Sequence, residues 1–267
     1  MPIRISASVT FMFRELELTR RFPAARAAGF DGVEIQYLAE GRPEEMARAA
    51  RDAGVEVVLV NAGAGDFAQG GLGLSGVPGR EAVFREELAV AIEAAAMLGA
   101  SYVNVGLSRV PDGMTTAECL TTLCSNVEAA VSTAADRGIT LLLEPLNRID
   151  VPTVSLGDLE AAAALIDGAL RGRVGLLFDV YHVVMTGDDA SAAFARHRKR
   201  IRHIQFSDVP GRREPGTGTI AFPSFLETVA ASYTGWLGAE YHPSSATSET
   251  TGWMPSFRAV LATPPRL

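Results

Sequence analysis

Residues 141–150 read LLLEPLNRID. The apolar run Leu141, Leu142, Leu143 delivers a carboxylate, Glu144, and Pro145 then stops it. A run this short, bounded by a breaker, reads as a fully buried strand. A carboxylate left unpaired at the mouth of such a strand is costly or stays protonated. Glu144 is therefore expected either to be bonded to donors or to hold a cation.

Three later runs repeat the construction. Residues 174–178 deliver Asp179, residues 201–204 deliver Gln205, and residues 236–239 deliver Glu240. One oxygen-bearing residue at a strand end is most often a cap or a salt-bridge partner. Four at successive strand ends ask for a shared cause. Three carboxylates and an amide form an all-oxygen set, which suits Mg2+ or Mn2+ better than structural zinc. A purely structural polar cluster is the alternative.

The chain has 267 residues, an ordinary length for one (β/α)8 barrel of about 250. Its formal net charge of -7 gives no sign of the basic face of a nucleic-acid binder. The arginine-rich residues 196–202 read as a solvated helix end. The first ten residues lack an apolar signal core, and no apolar run approaches the roughly 20 residues of a membrane span. Cys119 and Cys124 share one helical segment without facing each other, so reduced thiols in a cytoplasmic protein are expected.

Eight strand signals alternate with helical segments: 3–9, 33–37, 55–60, 102–105, 141–144, 174–179, 201–205 and 236–240. No composition break divides them. The expected fold is a single α/β domain over residues 1–267, a (β/α)8 TIM barrel whose site lies at the C-terminal strand ends. An open doubly wound sheet is the runner-up, but it would not bring four adjacent strand ends to one point. The glycine-rich loop 61–78 lacks the Lys-Ser/Thr of a phosphate loop. It reads as a lid or substrate loop, with Asp66 and Phe67 as candidates to close over a ligand. Glu34 also ends a strand-like run and could equally pair with an arginine. His203 shares strand parity with Gln205 and reads as a core or supporting histidine. His197 reads as solvated, and His242, in parity with Glu240, as a rim residue.

Several motifs together resemble the hydroxypyruvate isomerase family, a branch of the xylose isomerase-like TIM-barrel superfamily. They are EPLNRID at 144–150, FDVYH at 178–182, HIQFSD at 203–208, EPGTG at 214–218 and AEYHP at 239–243. SASVTFMF at 6–13, GFDGVEI at 29–35 and PGRE at 78–81 match upstream, so the likeness runs along essentially the whole chain. The resemblance implies one divalent cation held by Glu144, Asp179, Gln205 and Glu240, with Glu144 and Glu240 as the proton-transfer pair. It implies substrate contacts from Asp150, His182 and Arg212, with Arg213 as a rival for the last. The substrate would be a small hydroxy-keto acid or sugar, hydroxypyruvate first, with a 2-oxo-tetronate or a ketose as alternatives. Related ketose 3-epimerases carry histidine where Gln205 stands. A homo-oligomer is left open. Three positions depart from the family pattern: Val60, where better-known members carry histidine; Thr219, where they carry an acid; and His242, where a lysine is common. These departures are expected to flank the pocket.

Overall fold

The computed structural model describes residues 3–262; residues 1–2 and 263–267 of the expected domain lie outside the described residues. Eight strands run in chain order: β1 Arg4–Ser8, β2 Gly32–Ile35, β3 Glu56–Asn61, β4 Tyr102–Asn104, β5 Thr140–Leu143, β6 Gly175–Asp179, β7 Ile201–Phe206 and β8 Trp236–Ala239. Each pairs in parallel with the next, and β8 pairs with β1, so the sheet closes into a barrel. The helices α1 Leu18–Ala27, α2 Pro43–Ala53, α3 Glu81–Leu98 and α4 Thr116–Asp136 connect the first five strands. After β5 come α5 Leu159–Asp167, α6 Val180–Met185, α7 Ala190–His197, α8 Phe222–Ala230 and α9 Met254–Leu261. No helix among the described residues is long and apolar enough to cross a membrane.

Successive side chains of a strand point to opposite faces. In a closed barrel one face meets the helices and the other fills the interior. Leu141 and Leu143 join the large outer core, while Leu142 packs inside the barrel with Leu59 and Leu177. The same alternation sends Phe178, Phe206 and Ala239 outward. Glu144, Asp179, Gln205 and Glu240, each adjacent to one of these outward residues, take the inward parity. Inside, Leu59, Leu142 and Leu177 form an aliphatic patch on three strands, while Glu34 and His203, in register with Leu59 and Leu177, are buried polar groups at the same level.

Three details differ from the sequence reading. The alanine-rich run 156–170 reads as one helix, but α5 is shorter, because Asp158 accepts from Ala161 N and caps it. A short helix, α6, begins directly on Asp179, whose side chain accepts from Tyr181 N. Val60 lies in the outer core rather than beside the site, since the inward parity on β3 belongs to Leu59 and Asn61.

Leu142→Ala opens a cavity in the inner layer and is expected to cost about 2–5 kcal/mol of stability. Urea unfolding with an unchanged denaturant slope would register it as a lower midpoint; an unchanged midpoint would contradict the layer assignment.

Candidate active site

At the C-terminal mouth, β5, β6 and β8 hand in Glu144, Asp179 and Glu240, all buried. Oxygens of Glu144 and Asp179 and a ring nitrogen of His182 lie within 4.8 Å of one another. Arg212 reaches in from the loop after β7, donates through Nη2 to Asp179 Oδ2 at 3.0 Å, and places the same nitrogen 3.2 Å from Glu240 Oε2 as an ion pair. Its guanidinium sits 5.7 Å from the Phe11 ring and 5.3 Å from the Tyr181 ring. Its Nε is buried and has no hydrogen-bond partner among the described residues.

Three buried carboxylates facing one guanidinium leave an excess of negative charge. Burial raises the pKa of all three. Glu144 rises from its ordinary 4.5 to about 7, through desolvation first and the neighbouring Asp179 charge second, with Arg212 opposing. Glu240 rises well above the carboxylate range and Asp179 rises too, both through burial, again against Arg212. Burial alone would lower the Arg212 pKa, but Glu240, Asp179 and Glu144 outweigh it and raise it further.

The orientation of His182 follows from Asn147. Asn147 Oδ1 accepts from the backbone N–H groups of Ile149 and Asp150 at 3.1 and 2.8 Å. Its Nδ2 is thereby turned to donate to Asp150 Oδ2 at 2.9 Å and to His182 Nδ1 at 2.7 Å. Asn147 N also reaches His182 Nδ1, at 3.3 Å. With Nδ1 the acceptor, the neutral ring carries its hydrogen on Nε2. Burial, then Arg212, lowers the His182 pKa well below 6.5, so the ring is neutral. Its Nε2–H has no hydrogen-bond partner and lies 3.5 Å from Asp179 Oδ2 and 3.9 Å from Glu144 Oε1. His182 therefore presents a donor to the site rather than a lone pair.

The remaining expected residues sit as follows. Gln205 is buried on β7 in register with Asp179, and its Oε1 has no hydrogen-bond partner among the described residues. Asp150 is exposed and receives Tyr181 Oη at 2.8 Å. Arg213 turns away and donates to the carbonyls of His242 and Pro243 at 3.1 Å, so of the two arginines only Arg212 enters the carboxylate cluster. His242 stacks edge-on against Phe11, and its N–H binds the Arg212 carbonyl at 2.8 Å, which places it at the rim. Thr219 is exposed and bonds the Val209 carbonyl through both its N–H and its hydroxyl. Phe67 is buried against Leu146 and Val154 under the Arg109 guanidinium, so it pins its loop to the loop after β5. Glu34 pairs with His203, not with an arginine, and His197 is buried beside Glu160 rather than solvated.

Sequence reading missed Asn104 and Asn147. Asn104 ends β4 and donates through Nδ2 to Glu144 Oε2 at 2.7 Å. Its signal was available, since Tyr102 and Asn104 share parity, but a lone asparagine at a strand end reads as a turn residue. It missed the loop anchor as well. Buried Asp208 accepts from the N–H groups of Val209, Gly216, Gly218 and Ile220 at 2.8–3.1 Å, and a Cβ on Gly218 would collide with the Val209 carbonyl. That closed loop is what carries Arg212, in the left-handed backbone region with φ 55°, to the carboxylates.

A family model described as xylose isomerase-like TIM barrel matches residues 22–258. A 2-oxo-tetronate isomerase from Cupriavidus necator is 35% identical over 95% of this chain and 98% of its own length. The hydroxypyruvate isomerase of Escherichia coli is 32% identical over 96% of this chain and 100% of its own. A solved structure described as an AP endonuclease, family 2, from Brucella melitensis superposes with TM-score 0.90 at 30% identity, covering 97% and 100% of the two chains. The chain belongs to the xylose isomerase-like TIM barrel family. Within it, the chain is an isomerase of the hydroxypyruvate isomerase-like branch.

The raised Glu144 pKa has a consequence for the metal-free protein. Between about 4.5 and about 7 the folded chain keeps a proton that the unfolded chain has released. Stability contributed by this group therefore falls as pH rises through that window. Glu144→Gln, which cannot ionise, is expected to raise the melting temperature of metal-free protein at pH 7–8 and to leave it unchanged near pH 4. Equal melting curves at both pH values would show that Glu144 is not carrying a desolvated charge.

Proposed function

We propose that this chain interconverts hydroxypyruvate and tartronate semialdehyde by proton transfer through an enediolate, at a site holding one divalent cation, Mg2+ or Mn2+, in the cytoplasm. The observation that carries the reading is the convergence of three buried carboxylates on one guanidinium, with the carbonyl oxygen of Gln205 unpaired beside them. That donor set fits a hard dication, because it is all oxygen and its excess charge is negative. Glu144, Asp179, Gln205 and Glu240 would hold it. The bound cation supplies Lewis-acid stabilisation of the substrate's vicinal oxygens, worth several kcal/mol.

The protein's own groups divide the rest of the work. Glu144 and Glu240 take and return the proton between adjacent carbons, a role that contributes about 10²–10⁴-fold per group. Asn104 holds Glu144 Oε2, which fixes the carboxylate plane and leaves Oε1 toward His182. The Nε2–H of His182 donates to a substrate oxygen. Arg212 binds the substrate carboxylate through its planar fork. Asp150, held by Asn147 and Tyr181, contributes a substrate contact at the rim.

The second reading is a 2-oxo-tetronate as substrate, favoured by the 35% identity to the Cupriavidus necator protein. The two share the carboxylate and the carbonyl shift and differ in chain length. Abasic-site cleavage is disfavoured by the net charge of -7 and by four histidines in the whole chain.

Proton NMR of hydroxypyruvate in D2O with Mn2+- or Mg2+-loaded protein tests the first reading. Tartronate semialdehyde with deuterium at the reacting carbon is expected. No product and no exchange, with metal confirmed bound, would discard hydroxypyruvate, and a turned-over 2-oxo-tetronate would then take its place. EDTA should abolish turnover and Mn2+ restore it. Glu144→Gln and Glu240→Gln should each lower kcat by about 10²–10⁴-fold with unchanged circular dichroism; full activity in both would remove them from proton transfer. Arg212→Met should raise KM for the acid about 10–100-fold, the range expected for a lost charged hydrogen bond. An unchanged KM would place the substrate carboxylate elsewhere.

A further inference from the structure

The Glu34 carboxylate lies wholly inside the barrel, and none of the roles above involves it. It accepts four side-chain hydrogen bonds, divided between its two oxygens. Oε1 takes Ser6 Oγ at 2.6 Å and His203 Nε2 at 2.8 Å. Oε2 takes Gln205 Nε2 at 2.7 Å and, more weakly, Gln36 Nε2 at 3.4 Å. Room for it comes from Gly238 on β8, where any Cβ would collide with the carboxylate. Side chains of β1 and β7, Gln36 just after β2, and a missing side chain on β8 are thus shaped around one buried group.

With donors on both oxygens, the Glu34 carboxylate acts only as an acceptor here. It therefore selects which end of the Gln205 amide faces it. Nε2 turns to Glu34, and Oε1 turns away, buried and unpaired, at the inward position in register with Asp179. The reversed amide would aim two N–H groups at the site, which repel a cation. We propose that Glu34 is a positioning residue that sets the direction of the Gln205 amide, so that β7 offers the site an acceptor rather than a donor. This rests on the metal reading above.

The division of the two oxygens makes a specific substitution informative. In Glu34→Gln, the new Oε1 can still accept from Ser6 and His203. The new Nε2 then faces Gln205 and requires an acceptor there. The Gln205 amide turns over and presents Nε2 to the site. Mn2+ affinity measured by calorimetry is expected to fall about 10–100-fold, the usual effect of losing a group that orients a ligand. In a Gln205→Met background there is no amide to direct, so adding Glu34→Gln should change Mn2+ affinity by less than about 2-fold.

A Glu34→Gln variant that binds Mn2+ as tightly as wild type overturns the proposal and leaves the metal reading standing. An equal further loss in the Gln205→Met background overturns it too, since a merely structural effect would act in both. Wild-type protein that takes up no Mn2+ sinks the metal reading and this inference with it. Should Glu34→Gln fail to fold, metal-free wild type decides. The Gln205 side-chain amide protons, identified by their loss in Gln205→Met, are expected downfield and slow to exchange. Rapid exchange with solvent overturns the proposal.

Discussion

Burying several carboxylates together is the constraint on which this barrel's mouth depends. Each of Glu144, Asp179 and Glu240 would be costly alone in an apolar interior. Together they raise one another's proton affinity, and Arg212 offsets only part of the accumulated charge. The rest of the upper barrel is arranged around that imbalance. Asn104 donates to Glu144, α6 offers a backbone N–H to Asp179, and neutral His182 brings a donor without adding charge. The aliphatic patch of Leu59, Leu142 and Leu177 lies below this cluster inside the barrel and keeps apolar packing beneath it.

Two kinds of rigidity hold the geometry. Strand residues are placed by register, as with Asp179 opposite Gln205. Loop residues have no ladder to place them, and the structure substitutes side-chain anchors. Asp208 gathers four backbone N–H groups and so shapes the loop that delivers Arg212. Asn147 folds the segment after β5 back on itself and fixes the imidazole of His182 in one tautomer. Both anchors are small carboxylate or amide side chains that substitute for secondary structure where the chain must turn.

The strand-end residues were legible because period-two alternation and a closed barrel leave little freedom. Once Leu142 points inward, so does Glu144. Val60 was misjudged to flank the site for the same reason in reverse, since parity on β3 makes Asn61 the inward residue. Helix limits were less legible. Asp158 caps α5, and Leu156 ahead of it keeps the apolar spacing although it lies outside the helix. His197 looked polar in sequence because its neighbours are arginines, yet it turns inward to 1% exposure beside Glu160.

The sequence by itself determined the architecture, eight strands with an oxygen-bearing side chain at four successive ends, because hydrophobic period and chain length are local quantities. The motifs also marked Arg212 and His182 as residues of interest. Only the tertiary structure decided which way each group points. Arg212 rather than Arg213 meets the carboxylates, His182 carries its hydrogen on Nε2, and Gln205 turns its amide nitrogen to Glu34. Those choices depend on partners such as Glu34, 171 residues from Gln205 in the chain, and a hydrogen bond's direction exists only once both ends are in place.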